Sequence, residues 1–192
     1  SATNNRLVGG AQRGRKRRRC RRMQNCRSEQ GSTMTTFSLR PATPDDLAIT
    51  HAVTEEAMRG YVEQTWGVWD AGEQWAKHRA NFTPDTHRMI VIGEEVAGFV
   101  AVEDLPTYVW LVKLYLFQRF RNAGVGSAVL RSVLADARAR VKPARLRVLR
   151  VNERARALYE RHGFRVVEEA PERFFMECAF DDSTSDRAGQ HT

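Results

Sequence analysis

The stretch Leu114-Tyr115-Leu116-Phe117-Gln118-Arg119-Phe120-Arg121-Asn122-Ala123-Gly124-Val125-Gly126-Ser127 holds a strand end, a glycine turn and a helix start in fourteen residues. Upstream, residues 108–117 have few polar positions, which predicts a central strand buried on both faces. Downstream, over 124–140, Val125, Val129 and Val133 lie along one side with Leu130, Leu134 and Ala137 beside them. That spacing predicts a helix with one apolar face. A helix N-terminus carries free N–H groups and a partial positive charge. Glycine lets the backbone approach a ligand without Cβ interference. The turn is therefore a candidate phosphate or pyrophosphate cradle. The same glycines also suit a helix start that merely packs closely. It is not a P-loop, since no Lys-Ser/Thr pair follows the glycines, and Val129 stands where the dinucleotide fingerprint needs its third glycine.

Working outward, 37–40 alternates and predicts a first strand. Thr43 is a good N-cap, Pro44 suits the first helical position, and Asp45 and Asp46 favour the positive helix end, so a helix is predicted over 44–62. An aromatic stretch with Tyr61, Trp66 and Trp69, broken by Gly67, leads to a second helix over 70–81 with Trp75 inward. Residues 89–92 and 96–102 flank Gly93-Glu94-Glu95 and read as a hairpin. Residues 146–151 read as another buried strand, 153–162 as a short helix, and 164–167 and 174–178 as the last strands. The order β-α-α-β-β-β-α-β-α-β-β implies a mixed α/β sheet flanked by helices.

A second constellation follows the strand over 146–151. Asn152 suits an N-cap, Gly163 suits a left-handed C-terminal cap, and Tyr159 lies on the apolar face of the helix between them. Taken alone, Tyr159 is either a core aromatic or a positioned hydroxyl.

Charge and composition bound the function. The chain has 192 residues, of which 42% are hydrophobic, enough for one domain with a real core. No apolar run approaches the length needed to cross a bilayer, and no secretory signal is visible. Three cysteines are too few for a disulfide framework and point to a reducing, cytoplasmic setting. Cys20 and Cys26 form a lone pair in the basic N-terminal segment, Cys178 reads as a core residue, and no histidine spacing completes a metal site. The net charge of +8 invites a nucleic-acid reading, but residues 1–33 hold ten of the 31 Lys and Arg and one acid, Glu29. The remaining 34–192 are close to neutral. Residues 1–33 are expected to be disordered, and are either a leader added or translated upstream of Met34 or a native basic arm. Residues 181–192 are polar and expected to fray, which leaves 34–180 as the domain. A local basic excess remains over 138–165, where ten Lys and Arg face two acids, matched to cofactor phosphates or to a solvated face.

The two constellations together resemble the GNAT superfamily of N-acetyltransferases. Gln118 to Gly126 resembles its acetyl-CoA signature, and Asn152, Tyr159 and Gly163-Phe164 resemble its second motif, over about residues 35–180. The resemblance implies a mostly antiparallel mixed sheet with a central splayed parallel strand pair, and acetyl-CoA as cofactor. It implies that backbone groups of Leu116 and Phe117 pair with the pantetheine arm, a form of strand addition. It implies that Arg121, Asn122, Ala123, Gly124, Val125 and Gly126 hold the pyrophosphate, with Ser127 adding a hydroxyl or N–H and Asn152 positioning cofactor or helix. Asn122-Ala123 departs from the usual glycine and basic residue. Asn tolerates the left-handed region, and Arg119 or Arg121 is expected to replace the missing cation.

Tyr159 aligns with the family's general acid. A backbone N–H near Leu116 would stabilise the developing oxyanion. Where some relatives carry a basic glutamate this chain has Arg147, so Glu103 and Glu63 are the candidates for a general base, each also readable as a solvated carboxylate. Tyr61, Glu63, Trp66 and Trp69 would border the acceptor, with at least two of the three aromatics expected in the core. The acceptor would be a small-molecule or peptide amine, and a homodimer is left open. The rival readings are a nucleic-acid binder acting through the Arg-rich arm and a silent CoA-binding module.

Overall fold

Arg40 and Asp46 lock the start of the chain described here. The computed structural model describes residues 36–180, so the expectations for 1–33 and 181–192, with Cys20 and Cys26, lie outside the described residues. Arg40 stands on β1 (Ser38–Pro41) and donates from both Nη atoms to the Asp46 carboxylate at 2.8 and 2.7 Å. The same carboxylate accepts the Thr43 N–H at 2.8 Å, closing the turn into α1 (Leu47–Trp66). The Arg40 guanidinium holds the Asp46 carboxyl down at about 2. The helix runs four residues past its predicted end, through Trp66, where Gly67 stops it at φ +87°. Asp70 caps α2 (Ala71–Asn81) by accepting the Glu73 N–H at 2.8 Å.

The sheet contains β2 (His87–Ile92), β3 (Glu95–Asp104), β4 (Val109–Leu116), β5 (Ala144–Leu149), β6 (Arg165–Glu169) and β7 (Arg173–Cys178), in the order β1-β2-β3-β4-β5-β7-β6. Every pair is antiparallel except β4 and β5, as the resemblance implied. The crossover between those two is α3 (Val125–Ala139), and α4 (Glu153–Arg161) follows β5. One face of the sheet packs Leu111, Leu116, Leu146 and Val148 with Val125, Val129 and Leu130 of α3 and Tyr159 of α4. The opposite face packs Met89, Phe99, Tyr115 and Phe117 with Val53 of α1.

The parallel ladder is short. It joins Val109 to Ala144, Trp110 to Arg145 and Leu111 to Leu146, and stops. A register shift causes this. Ala101 pairs with Lys113 but Val102 with Leu111, which leaves Val112 as an extra residue in β4. A bulge bends its strand and raises the local twist, so β4 and β5 part beyond Leu111.

Three local expectations are corrected. β4 is not buried on both faces, because Lys113 and Tyr115 are only half-buried on the side of α1 and α2. β5 alternates instead of being buried throughout: Ala144, Leu146 and Val148 are buried while Arg145 and Arg147 are exposed. Trp75 does not point inward. It is 37% exposed and meets His51 edge-on at 4.8 Å, and the buried residue of α2 is His78. Cys178 is buried, as expected.

Candidate active site

The gap between β4 and β5 opens into a cavity of about 880 Å³, lined by both strands, the starts of α3 and α4, and the facing sides of α1 and α2. Its β4 wall is an unpaired strand edge. Phe117 donates its N–H to the Ala97 carbonyl at 2.9 Å. Backbone groups in an antiparallel ladder alternate in direction, so Tyr115 and Lys113 also bond toward β3, while Leu114 and Leu116 turn theirs toward the gap. The Leu116 carbonyl accepts Arg121 Nε at 2.8 Å, and its N–H faces the gap. Phe117 differs from expectation. Its N–H is used by Ala97 and its carbonyl by the Phe120 N–H at 3.0 Å, so it offers no backbone group to the gap, and Leu114 stands in its place.

At the open end of β4 the chain makes the glycine turn. Asn122 sits at φ +67° and Gly124 at φ +78°, so the left-handed conformation anticipated for Asn122 is present. The turn leaves the N–H groups of residues 122–127 free at the start of α3. None of them has a protein acceptor among the described residues, and the first bond of the helix is from the Ala128 N–H to the Gly124 carbonyl at 3.0 Å. Arg121 turns inward, and its Nη2 is buried with no partner. Burial lowers the pKa of this guanidinium. Unmet donors at a helix start, with a half-buried guanidinium beside them, fit a pyrophosphate. Arg119 does not contribute. It stacks on Phe117 and Phe120, with 5.0 and 4.7 Å to the ring centroids, and pairs with Glu95 at 3.0 Å. Arg154, which the sequence reading passed over, donates to Asn122 Oδ1 at 2.6 Å and also lines the cavity. Its only signal was a cation in the first turn after Asn152.

Asn152 caps α4 by accepting the Ala155 N–H at 3.1 Å, and it borders the cavity. Tyr159 is buried, packs edge-on against Phe164 at 5.8 Å and lines the cavity. Its hydroxyl has no hydrogen-bond partner among the described residues, and burial pushes its pKa well above the ordinary phenol range. The proton therefore stays on Oη at neutral pH.

The acceptor side departs further from expectation. Tyr61 and Trp66 line the cavity, but only Trp69 of the three aromatics is buried, and it lies outside the lining with the Arg59 guanidinium 5.7 Å from its ring centroid. Glu63 is exposed and borders a shallow depression beside Glu55 and Arg59 instead. Glu103 is opposite Trp110, where β4 and β5 are still paired, and does not reach the cavity. Among the described residues, the only acid in the lining is Glu73, bound to Lys77 at 2.6 Å. In their place stand Lys113, Tyr115, Arg147 and Arg173, none singled out from the sequence as acceptor-side residues. Among the described residues, no group of three His, Cys, Asp or Glu could hold a metal ion, and no helix is long and apolar enough to cross a membrane.

A family model described as acetyltransferase (GNAT) family matches residues 50–164, more than half the chain. No curated protein sequence matches. Among solved structures, the chain is similar to the PaiA N-acetyltransferase of Thermoplasma acidophilum in complex with coenzyme A. The TM-score is 0.62 at 17% identity, covering 76% of this chain and 99% of that one. It is similar to the ribosomal-protein-S18-alanine N-acetyltransferase of Escherichia coli, with TM-score 0.59 at 15% identity over 78% and 98% of the two chains. It is also similar to Naa50 of Arabidopsis thaliana in complex with the bisubstrate analogue CoA-Ac-MVNAL, with TM-score 0.53 at 17% identity over 75% and 99%. At these identities the likeness is one of fold.

Proposed function

The chain belongs to the GNAT acetyltransferase family, whose cofactor is acetyl-CoA, and from this we propose that it acetylates a primary amine in the gap between β4 and β5. The observation that carries the reading is the coincidence of three features in one cavity: an unpaired strand edge, a cluster of unmet N–H donors and a protonated tyrosine.

The unmet N–H groups of residues 122–127 and the inward Arg121 would hold the pyrophosphate. The backbone of Leu114 and Leu116 would pair with the amides of the pantetheine arm. When bound, acetyl-CoA supplies an activated acetyl thioester: an N–C bond replaces the C–S bond, and the proton that the amine loses balances the one that the sulfur gains. Tyr159 holds that second proton at Oη and is the general acid. The Leu116 N–H, on the unpaired edge of β4, would stabilise negative charge developing in the gap. Asn152 acts by fixing the start of α4, which sets where Tyr159 points.

The test is release of free thiol from acetyl-CoA across a panel of amines, with the acetylated product identified by mass. Acetylation of at least one amine on nitrogen is expected. Thermal stabilisation by acetyl-CoA with no thiol release from any amine would overturn the reading and leave a silent CoA-binding module.

A further inference from the structure

Lys113, Arg147 and Arg173 all line the cavity, and none makes an ion pair or side-chain hydrogen bond among the described residues. Among the described residues, Arg40, Arg59, Lys77, Arg119, Arg140, Lys142, Arg145, Arg150 and Arg156 by contrast each meet a carboxylate. Lys113, Arg147 and Arg173 share one side of the sheet. Arg147 is opposite Phe175 and Arg173 is opposite Leu149, so the two arginines are diagonal neighbours on one face of the β5–β7 pair. Lys113 stands across the gap on β4, with its Nζ 5.9 Å from the Phe99 ring centroid. Trp66 covers Arg173, whose guanidinium lies 5.7 Å from the indole centroid.

Lys113 and Arg173 are half-buried and Arg147 is exposed beside them; like charges gathered in this way repel one another, and an anion among them relieves that repulsion. The cofactor's pyrophosphate is not that anion. Its cradle begins α3, which packs on the opposite face of the sheet with Leu114 and Leu116. Lys113 belongs to the alternate face of β4, shared with Tyr115 and the α1 cluster.

We propose that the acceptor is an amine that also carries an oxyanion, a carboxylate or a phosphate, and that Arg147 and Arg173 grip this group with Lys113 facing it. The proposal rests on the acetyl-transfer reading above. It also accounts for the lack of a free carboxylate in the lining. Cations around the acceptor nitrogen disfavour its ammonium form and raise the share of neutral, attacking amine, which lightens the demand for a base. A cationic polyamine, by contrast, would meet three like charges.

The experiment compares matched acceptors with the full chain at saturating acetyl-CoA. One arm sets L-amino acids against their C-terminal amides, and the other sets phosphoethanolamine against ethanolamine. In at least one arm the anionic member is expected to be acetylated with kcat/KM roughly tenfold or more above its neutral partner, in keeping with a charge-assisted grip. Arg147→Gln and Arg173→Gln are each expected to raise KM for the anionic acceptor by roughly 10- to 100-fold, with a much smaller effect on its neutral partner. Arg147→Lys should recover part of the loss, and an unchanged melting temperature shows that each variant is folded. Equal or better use of the neutral members in both arms, or no acetylation in either arm, overturns the proposal. Thiol release with neutral amines preferred would sink only this proposal. No thiol release from any amine would sink the acetyl-transfer reading as well.

Discussion

Arg154 Nη2 donates to Asn122 Oδ1 at 2.6 Å, tying the first turn of α4 to the left-handed turn that opens α3. The two constellations read from the sequence, separated by some thirty residues, are thus one object. The bond joins Asn122, at φ +67°, to α4, while the N–H groups that follow it in the turn have no protein acceptor among the described residues.

This predicts a graded response at Asn122. Glycine accepts the same φ but loses the Arg154 bond, whereas a β-branched residue resists the left-handed region at a cost of about 1–2 kcal/mol. Asn122→Gly should raise KM for acetyl-CoA only slightly, and Asn122→Val by roughly tenfold. Steady-state kinetics at varied acetyl-CoA would show the order, and equal effects would mean the turn geometry is not what binds.

Tyr159 invites a sharper test, because burial keeps its proton in place. Tyr159→Phe should bind acetyl-CoA nearly as well as the parent and lose kcat by roughly a hundredfold or more. Because the phenol pKa is raised, loss of this proton should produce no fall in the parent's rate below about pH 10. Unchanged turnover in the variant would remove Tyr159 from the chemistry.

Gly98 bears on the wall of the gap. A Cβ there would lie 2.1 Å from the Tyr115 carbonyl oxygen and 2.8 Å from Leu116 Cα, both backbone atoms of β4. Gly98→Ala must push that strand and should cost about 1–3 kcal/mol. Urea unfolding would register the loss, and KM for acetyl-CoA should rise with it.

His78 predicts an acid-sensitive fold. Burial, with Lys113, His51 and His87 nearby, lowers its pKa to about 4. The Thr50 hydroxyl lies 2.9 Å from the Asp46 carbonyl oxygen and 3.0 Å from His78 Nε2, which gives the buried ring a polar partner. Below the ordinary histidine pKa of about 6.5 the unfolded chain takes a proton that the folded chain refuses. Stability therefore falls as the pH drops from there toward 4. His78→Gln should flatten that part of the curve in denaturant titrations, and an unaltered slope would place the acid sensitivity elsewhere.

Much of the fold was legible because local signals agreed with one another. The caps at Thr43 and Asn152, the glycine stop at Gly163 and the period of α3 mark elements that formed close to where they were expected, whereas α1 runs on to Gly67. The cofactor side of the site was equally local, since a turn and the helix it opens are contiguous in sequence. Glu103, Glu63 and Trp69 lie outside the cavity lining for the opposite reason. Being near a site in sequence order says nothing about which strand face or helix side meets the cavity.

The sequence by itself determined the element order, the left-handed turn at Asn122 and Gly124, and the tyrosine on the apolar face of α4. Backbone sterics and hydrophobic period act over a few residues and can be read there. Only the tertiary structure decided the gap and what surrounds it. The bulge at Val112 ends the parallel ladder at Leu111, and pairing between β5 and β7 brings Arg147 near Arg173, across from Lys113. The charge of an acceptor pocket is a sum over residues from distant strands. No local pattern encodes it, and sheet register assembles it.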